Sequence, residues 1–219
     1  MSEDHPVDLF LGTAPSADEF ALAESEGVTL VQEPVCWDAF VFIVNARNPV
    51  DNLSLDQIRD IYSGEITSWK DVGGRWKAIT PYQRNANSGS QTAMESMVMQ
   101  GEPLMPPIMG EVRTMDGLVE AVADFDNGTG SIGYTFLYYV DEMYKDENIK
   151  LLSIDGVAPT EENIRSGAYP LAVNYYAVYR EEDEDGTAGK FTEWILSEEG
   201  QMVVEQAGYI PMDSGARPE

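Results

Sequence analysis

Apolar residues along the chain fall into short runs separated by glycine, proline and capping residues, at spacings that alternate strand with helix. Val7 to Leu11 is a β-type run that leads through Gly12-Thr13-Ala14-Pro15 to Ser16. Ser16 and Glu19 have capping-box spacing, in which the serine oxygen meets a free backbone N–H and the glutamate reaches back, so a helix is expected from about Ala17 to Glu26, closed by Gly27. Val28 to Val31 and Ala39 to Val44 read as two strands, the second apolar without alternation, as a strand covered on both faces would be. Ser54 and Gln57 repeat the capping signature before Ile58, Ile61 and Tyr62, and Gly64 closes that helix. Further on, Ala78 to Tyr82, Gly130 to Tyr139, Leu151 to Ile154 and Leu171 to Tyr179 read as strands. Ala93 to Met99, Thr114 to Ala123 and Phe191 to Gln206 read as helical, the last interrupted near Gly200. Strands alternating with helices at this pitch predict an α/β architecture with mostly parallel sheet.

Composition changes the picture in one respect. The 219 residues carry 13 Lys and Arg against 39 Asp and Glu, a formal charge of −26. Nucleic-acid and anionic-membrane binding draw most of their affinity from clustered cations, so both are disfavoured. A hydrophobic content of 43% nonetheless suffices for a buried core. The length fits one large domain or two lobes of about 100 residues. The single cysteine, Cys36, excludes an internal disulfide and a cysteine-rich zinc site, and reads as a small buried apolar residue. The start Met-Ser-Glu-Asp-His lacks the features of a signal peptide, although a piece of a longer secreted precursor would look the same. No apolar run approaches the about 18 residues of a membrane span.

Candidate chemistry concentrates at Arg84 to Thr92. This passage from strand to helix combines a fixed positive charge at Arg84, hydroxyls at Ser88, Ser90 and Thr92, and Gly89, which allows close backbone approach. Unpaired N–H groups and about half a positive charge of macrodipole at a helix N-terminus attract anions, so the segment outlines an oxyanion cradle. The plainer alternative is that Ser88 and Gln91 form one more capping box and Arg84 is an ordinary surface charge. A nucleotide P-loop is excluded by the missing lysine and the spacing. Nothing marks a base that would activate Ser88 or Ser90, and the lone His5 sits near the chain end, so a serine-nucleophile hydrolase is disfavoured. Asp124-Phe125-Asp126-Asn127-Gly128 starts like a calcium loop but has Thr129 in place of the central glycine and Thr135 in place of the bidentate glutamate. The run Glu181 to Asp185 reads as a solvated loop, because consecutive charges cannot all converge on one ion.

Arg84 followed by Asn87-Ser88-Gly89-Ser90 resembles the arginine and Ser-Gly-Ser/Thr motif of phosphate-binding proteins of ABC transporters, in the type II periplasmic binding protein superfamily. The likeness extends to Val7–Pro15, to Phe40–Pro49, to Leu55–Gly74 with its Ile61-Tyr62-Ser63-Gly64 stretch, to Gly130–Tyr134 and to Trp194–Gln201. It implies two α/β lobes joined by crossing segments, expected at residues 1–45 with 171–219 and at 46–170. It also implies a non-enzymatic, extracytoplasmic solute-binding protein without a cofactor, holding an oxyanion, most simply phosphate, and delivering it to an ABC transporter permease. Carried over residue by residue, the oxyanion ligands are Arg84, Ser88, Gly89, Ser90 and Thr13. A lipoprotein anchor in the full-length precursor belongs to the same expectation.

Three departures from the family pattern bear on the site. Family members begin with another strand and a Ser/Thr-containing loop, and this sequence starts after them, so truncation or completion by another chain is expected, with an exposed sheet edge open to self-association. Thr13 stands where phosphate binders often place an aspartate, which leaves the choice between phosphate and sulfate open. Ala86 replaces an acidic partner of the arginine, which leaves Arg84 either more available or less well oriented. The alternative role on the same fold is a sensor or protein-interaction module.

Overall fold

The computed structural model describes residues 7–86, 88–124 and 128–212. His5, Asn87 of the Ser-Gly-Ser motif and residues 125–127 of the calcium-loop resemblance lie outside the described residues. The chain divides into two compact units, Met1–Asp38 with Val173–Glu219 (unit 1) and Ala39–Ala172 (unit 2). The division therefore falls inside a strand, at Asp38/Ala39, whereas the sequence reading places it after residue 45.

Unit 1 opens with strand β1 (Leu9–Gly12) and helix α1 (Ala17–Ser25). Both halves of the expected capping box are present: Ser16 Oγ accepts from Glu19 N at 3.3 Å, and Glu19 Oε2 accepts from Ser16 N at 2.7 Å. Strand β2 then runs unbroken from Leu30 to Asn45, where the sequence suggested two separate strands. Pro34 and the charged Glu33 disguise the continuity, but the strand holds because its partners change along its length. Cys36 and Trp37 pair antiparallel with Ile210–Pro211, Phe40 to Val44 with Ser131–Phe136 and Ile43 to Asn45 with Ile149–Leu151.

Unit 2 continues with β3 (Asn52–Leu53), α2 (Leu55–Ser63), β4 (Thr80–Pro81), β5 (Gln83–Arg84) and α3 (Gly89–Ala93), which runs directly into a π-helical turn at Met94–Met99. Next come β6 (Glu111–Val112), α4 (Met115–Ala123), β7 (Ser131–Phe136), β8 (Ile149–Leu151), β9 (Ser153–Ile154) and α5 (Glu161–Arg165). β7 is shorter than the sequence suggested, since 128–130 is a 3₁₀ turn and Tyr139–Met143 a π-helical one. β10 (Ala172–Arg180), α6 (Thr187–Ile195), α7 (Glu198–Gln206) and β11 (Ile210–Pro211) complete unit 1. The helical break lies at Leu196-Ser197, where Ser197 caps α7, and Gly200 sits inside α7.

The sheets are mixed rather than mostly parallel. β3–β9, β4–β7 and β5–β6 pair parallel, while β1–β10 and the ladders of β2 with β7, β8 and β11 are antiparallel. The core of unit 2 is aromatic: Phe40, Phe42, Tyr62 and Tyr134 are all fully buried, with ring centroids 5.5–6.2 Å apart. α4 packs tightly on β7 because Gly133 has no side chain; a Cβ there would come within 2.5 Å of Leu118 Cδ2. At the other end of α4, the buried Asn45 side chain donates to the carbonyls of Val122, Ala123 and Asp124 at 3.1–3.3 Å. These contacts fix α4, whose first turn borders Arg84.

Candidate oxyanion-binding site

Arg84 ends β5, paired in parallel register with Val112 of β6. Its backbone N–H is shared between Tyr134 Oη at 3.0 Å and Gln91 Oε1 at 3.2 Å, and the Tyr134 hydroxyl itself donates to Gln91 Oε1 through a short bond. Gln91 Nε2 donates in turn to Glu95 Oε1 at 2.8 Å. Burial pushes the Tyr134 hydroxyl up to about 12, against the opposing pull of Arg84, so it is a protonated donor at neutral pH.

The guanidinium is held by neutral groups. Nε donates to Val112 O at 3.1 Å and Nη2 to Arg113 O at 3.2 Å, which set the plane of the fork. Nη1 has only long contacts among the described residues, 3.5 Å to Ser90 Oγ and 3.5 Å to Met115 Sδ, the second a weak acceptor. Among the described residues no carboxylate lies within ion-pair distance of Arg84. The exposed Asp116 is held below the usual carboxylate range first by the Thr114 side chain, then by backbone N–H groups, with Arg84 a smaller influence. Burial lowers the Arg84 pKa while Tyr134, Tyr139 and Asp116 raise it; a guanidinium stays charged in any case. Backbone carbonyls thus orient Arg84 without neutralising it.

The helix start beside it has the expected form. Ser88 is the N-cap of α3, its Oγ accepting from Gln91 N at 3.3 Å. The first backbone bond of the helix is Thr92 N to Ser88 O at 2.9 Å, so the helix itself gives the N–H groups of Gly89 and Ser90 no acceptor. Gly89 is exposed and Ser90 is buried. The capping-box alternative is half realised. Ser88 caps Gln91, but the Gln91 carbonyl faces Arg84 and Tyr134 instead of returning to the cap.

Four of the five expected ligands thus lie in unit 2, with Arg84 and Ser90 in direct contact and Ser88 and Gly89 opening the adjoining helix. Thr13 lies in unit 1, half-buried in the bend after β1. Sequence reasoning missed Gln91, Tyr134, Met115 and the carbonyls of Val112 and Arg113. Tyr134 stood within the Gly130–Tyr134 stretch, but its hydroxyl acquires a role only once β7 pairs with β4, the strand that leads into β5.

Residues 3–199 match the family model of the PBP superfamily domain. The chain belongs to that superfamily. Among curated proteins, this PBP domain is 30% identical to the phosphate-binding protein PstS of Bacillus subtilis (strain 168) over 201 residues, and 27% identical to PstS of Borreliella burgdorferi over 179. These alignments cover 90% and 80% of the chain, and 63% of the length of each relative. The fold superposes with a TM-score of 0.76 on a Clostridium perfringens protein described as a phosphate ABC transporter substrate-binding protein, solved with bound phosphate. That match is 28% identical and covers 94% of this chain and 79% of the other. An ABC-type phosphate transport receptor from Vibrio cholerae shares the fold with a TM-score of 0.72 at 24% identity, covering 93% and 79% of the two chains. The fold is accordingly the two-lobe α/β fold of this superfamily, built here on mixed sheets.

Proposed function

We propose that this PBP domain is a receptor for an inorganic oxyanion, phosphate in the first instance, serving an ABC transporter outside the cytoplasm without catalysing a reaction. The observation that carries the reading is Arg84: a guanidinium held in plane by two backbone carbonyls, with no carboxylate partner among the described residues, beside a helix start whose first N–H groups receive no acceptor from the helix itself. Arg84 supplies the charge, Ser88 and Ser90 hydroxyl donors, and Gly89 and Ser90 backbone donors. The names of the relatives supply the choice of phosphate. A hydroxyl ligand from Thr13, a permease partner and a lipid anchor rest on the family resemblance alone. No helix among the described residues is long and apolar enough to cross a membrane.

Titration calorimetry with inorganic phosphate tests the reading. Removing a charge-assisted bond costs about 1.5–3 kcal/mol, so Arg84→Ala is expected to weaken binding at least about tenfold. Equal affinity in that variant would overturn the assignment of Arg84, and preference for sulfate over phosphate would overturn the choice of ligand.

One observation favours an interaction role as a second reading. Among the described residues β1 pairs along one side only, with β10, and its Phe10 and Leu11 are both about half exposed. Such an edge can accept another strand, including one from a second copy. Absence of oxyanion binding together with concentration-dependent self-association in sedimentation would favour this reading.

A further inference from the structure

Of the groups that touch Arg84, the Met115 thioether is the one a mild oxidant converts into a strong acceptor. Met115 opens α4 directly after its Thr114 cap, is partly exposed, and sets Sδ 3.5 Å from Arg84 Nη1. A thioether is a weak acceptor and leaves that N–H largely available. A sulfoxide is a polar, strongly accepting group on the same flexible stem.

We propose that Met115 is an oxidative modification site whose sulfoxide engages Arg84 and lowers the affinity of the oxyanion site; this rests on the oxyanion reading given above. A hydroperoxide is the oxidant. A sulfur lone pair attacks the terminal peroxide oxygen, the O–O bond breaks, the S–O bond forms, and the departing oxygen leaves as alcohol or water with its proton. Sulfur loses two electrons and the peroxide gains them. The new oxygen accepts from Nη1, the nitrogen not held by a carbonyl, and Arg84 retains its carbonyl bonds through Nε and Nη2. Reduction by a dithiol through a methionine sulfoxide reductase restores the thioether with loss of water.

The experiment treats the whole chain with hydrogen peroxide, locates sulfoxides by peptide mass spectrometry and measures phosphate affinity by calorimetry. Each protein is compared with its own reduced form. The wild type oxidised at Met115 is expected to bind at least about tenfold more weakly and to recover after reductase treatment. Met115→Leu under the same treatment is expected to change by less than about twofold, although the more exposed Met109, Met143 and Met202 still oxidise. Equal loss in Met115→Leu, or full affinity in a wild type oxidised at Met115, would overturn the proposal. A ligand-free readout separates it from the oxyanion reading. Nitrogen NMR of the Arg84 side chain should shift on oxidation of the wild type and not of Met115→Leu. No shift overturns the proposal; a shift in a protein whose reduced form ignores phosphate overturns the oxyanion reading alone.

Discussion

The two units bury their apolar residues very differently. Unit 2 closes an aromatic core around Phe40, Phe42, Tyr62 and Tyr134, and its helices α2 and α4 each bury three or four residues. In unit 1 the buried cluster is Val35, Cys36, Ala177 and Val204, with partly buried neighbours such as Leu9, Tyr175 and Tyr209. α1 buries nothing, and Phe10, Leu11, Leu22, Met202 and Val203 are about half exposed or more. The unit that carries Arg84 is thus the one with the larger buried core, although its Trp76, Met109 and Met143 lie exposed. On the proposed oxyanion reading rigid support matters there, because the fork would have to point its donors before a ligand arrives. Unit 1 shows that a helix can carry a complete capping box and still bury no side chain.

The sharpest test of this contrast is Phe42→Ala, which empties a site touching three aromatic rings. It should cost about 3–5 kcal/mol in urea unfolding. A loss as small as that of a surface change would show that unit 2 does not depend on its core.

Alkaline titration probes both units at once. Burial raises Cys36 in unit 1 from 9.0 to about 12, with Asp38 adding to it, and raises Tyr134 in unit 2 from 10.0 to about 12. A folded pKa above the unfolded one gives stability that is whole below the unfolded value and declines as pH rises towards the folded value. Stability should therefore fall from above pH 9 through Cys36 and from above pH 10 through Tyr134, by about 1.4 kcal/mol per pH unit for each group. Cys36→Ala should remove the earlier decline, and Tyr134→Phe should make the later one shallower by about 1.4 kcal/mol per pH unit, the rest belonging to Tyr62, Tyr169 and Tyr175, which burial also raises. Urea midpoints that stay flat to pH 12 would contradict both.

Leu11→Ser, on the outer strand of unit 1, should change stability by no more than about 0.5 kcal/mol. A larger loss in the same unfolding assay would mean that β1 is covered in solution, as the interaction reading requires. The smallest effect expected is electrostatic. The charge of −26 opposes the approach of an anion, so stopped-flow phosphate association should quicken as salt rises from low concentration. A rate that falls with salt would show that Arg84 and the helix start, rather than the acidic surface, govern encounter.

What was legible in the sequence is what depends on neighbours three or four residues apart. The caps at Ser16, Ser54 and Ser88, the left-handed closing glycine Gly64, and the helix that follows Thr114 all follow from i to i+3 chemistry. Arg84 with Ser88, Gly89 and Ser90 stood out for the same reason: they are close in the chain. The unbroken β2 was hidden, because Pro34 and Glu33 interrupt the apolar pattern while partners distant in sequence hold the strand together. Sheet direction was hidden too, since pairing partners are chosen over long chain separations.

The sequence by itself determined where α1, α2 and α4 begin, which polar residues gather at the start of α3, and that the protein is acidic yet apolar enough to fold; it did not reveal α5 or the start of α6 at Thr187. Only the tertiary structure decided how Arg84 is held. Its carbonyl partners come from Val112 and Arg113, and its backbone N–H is fixed by Tyr134, 50 residues away. Carbonyls have no sequence signature, since every residue carries one; only the pairing of β5 with β6 and the position of β7 select which of them meet the guanidinium.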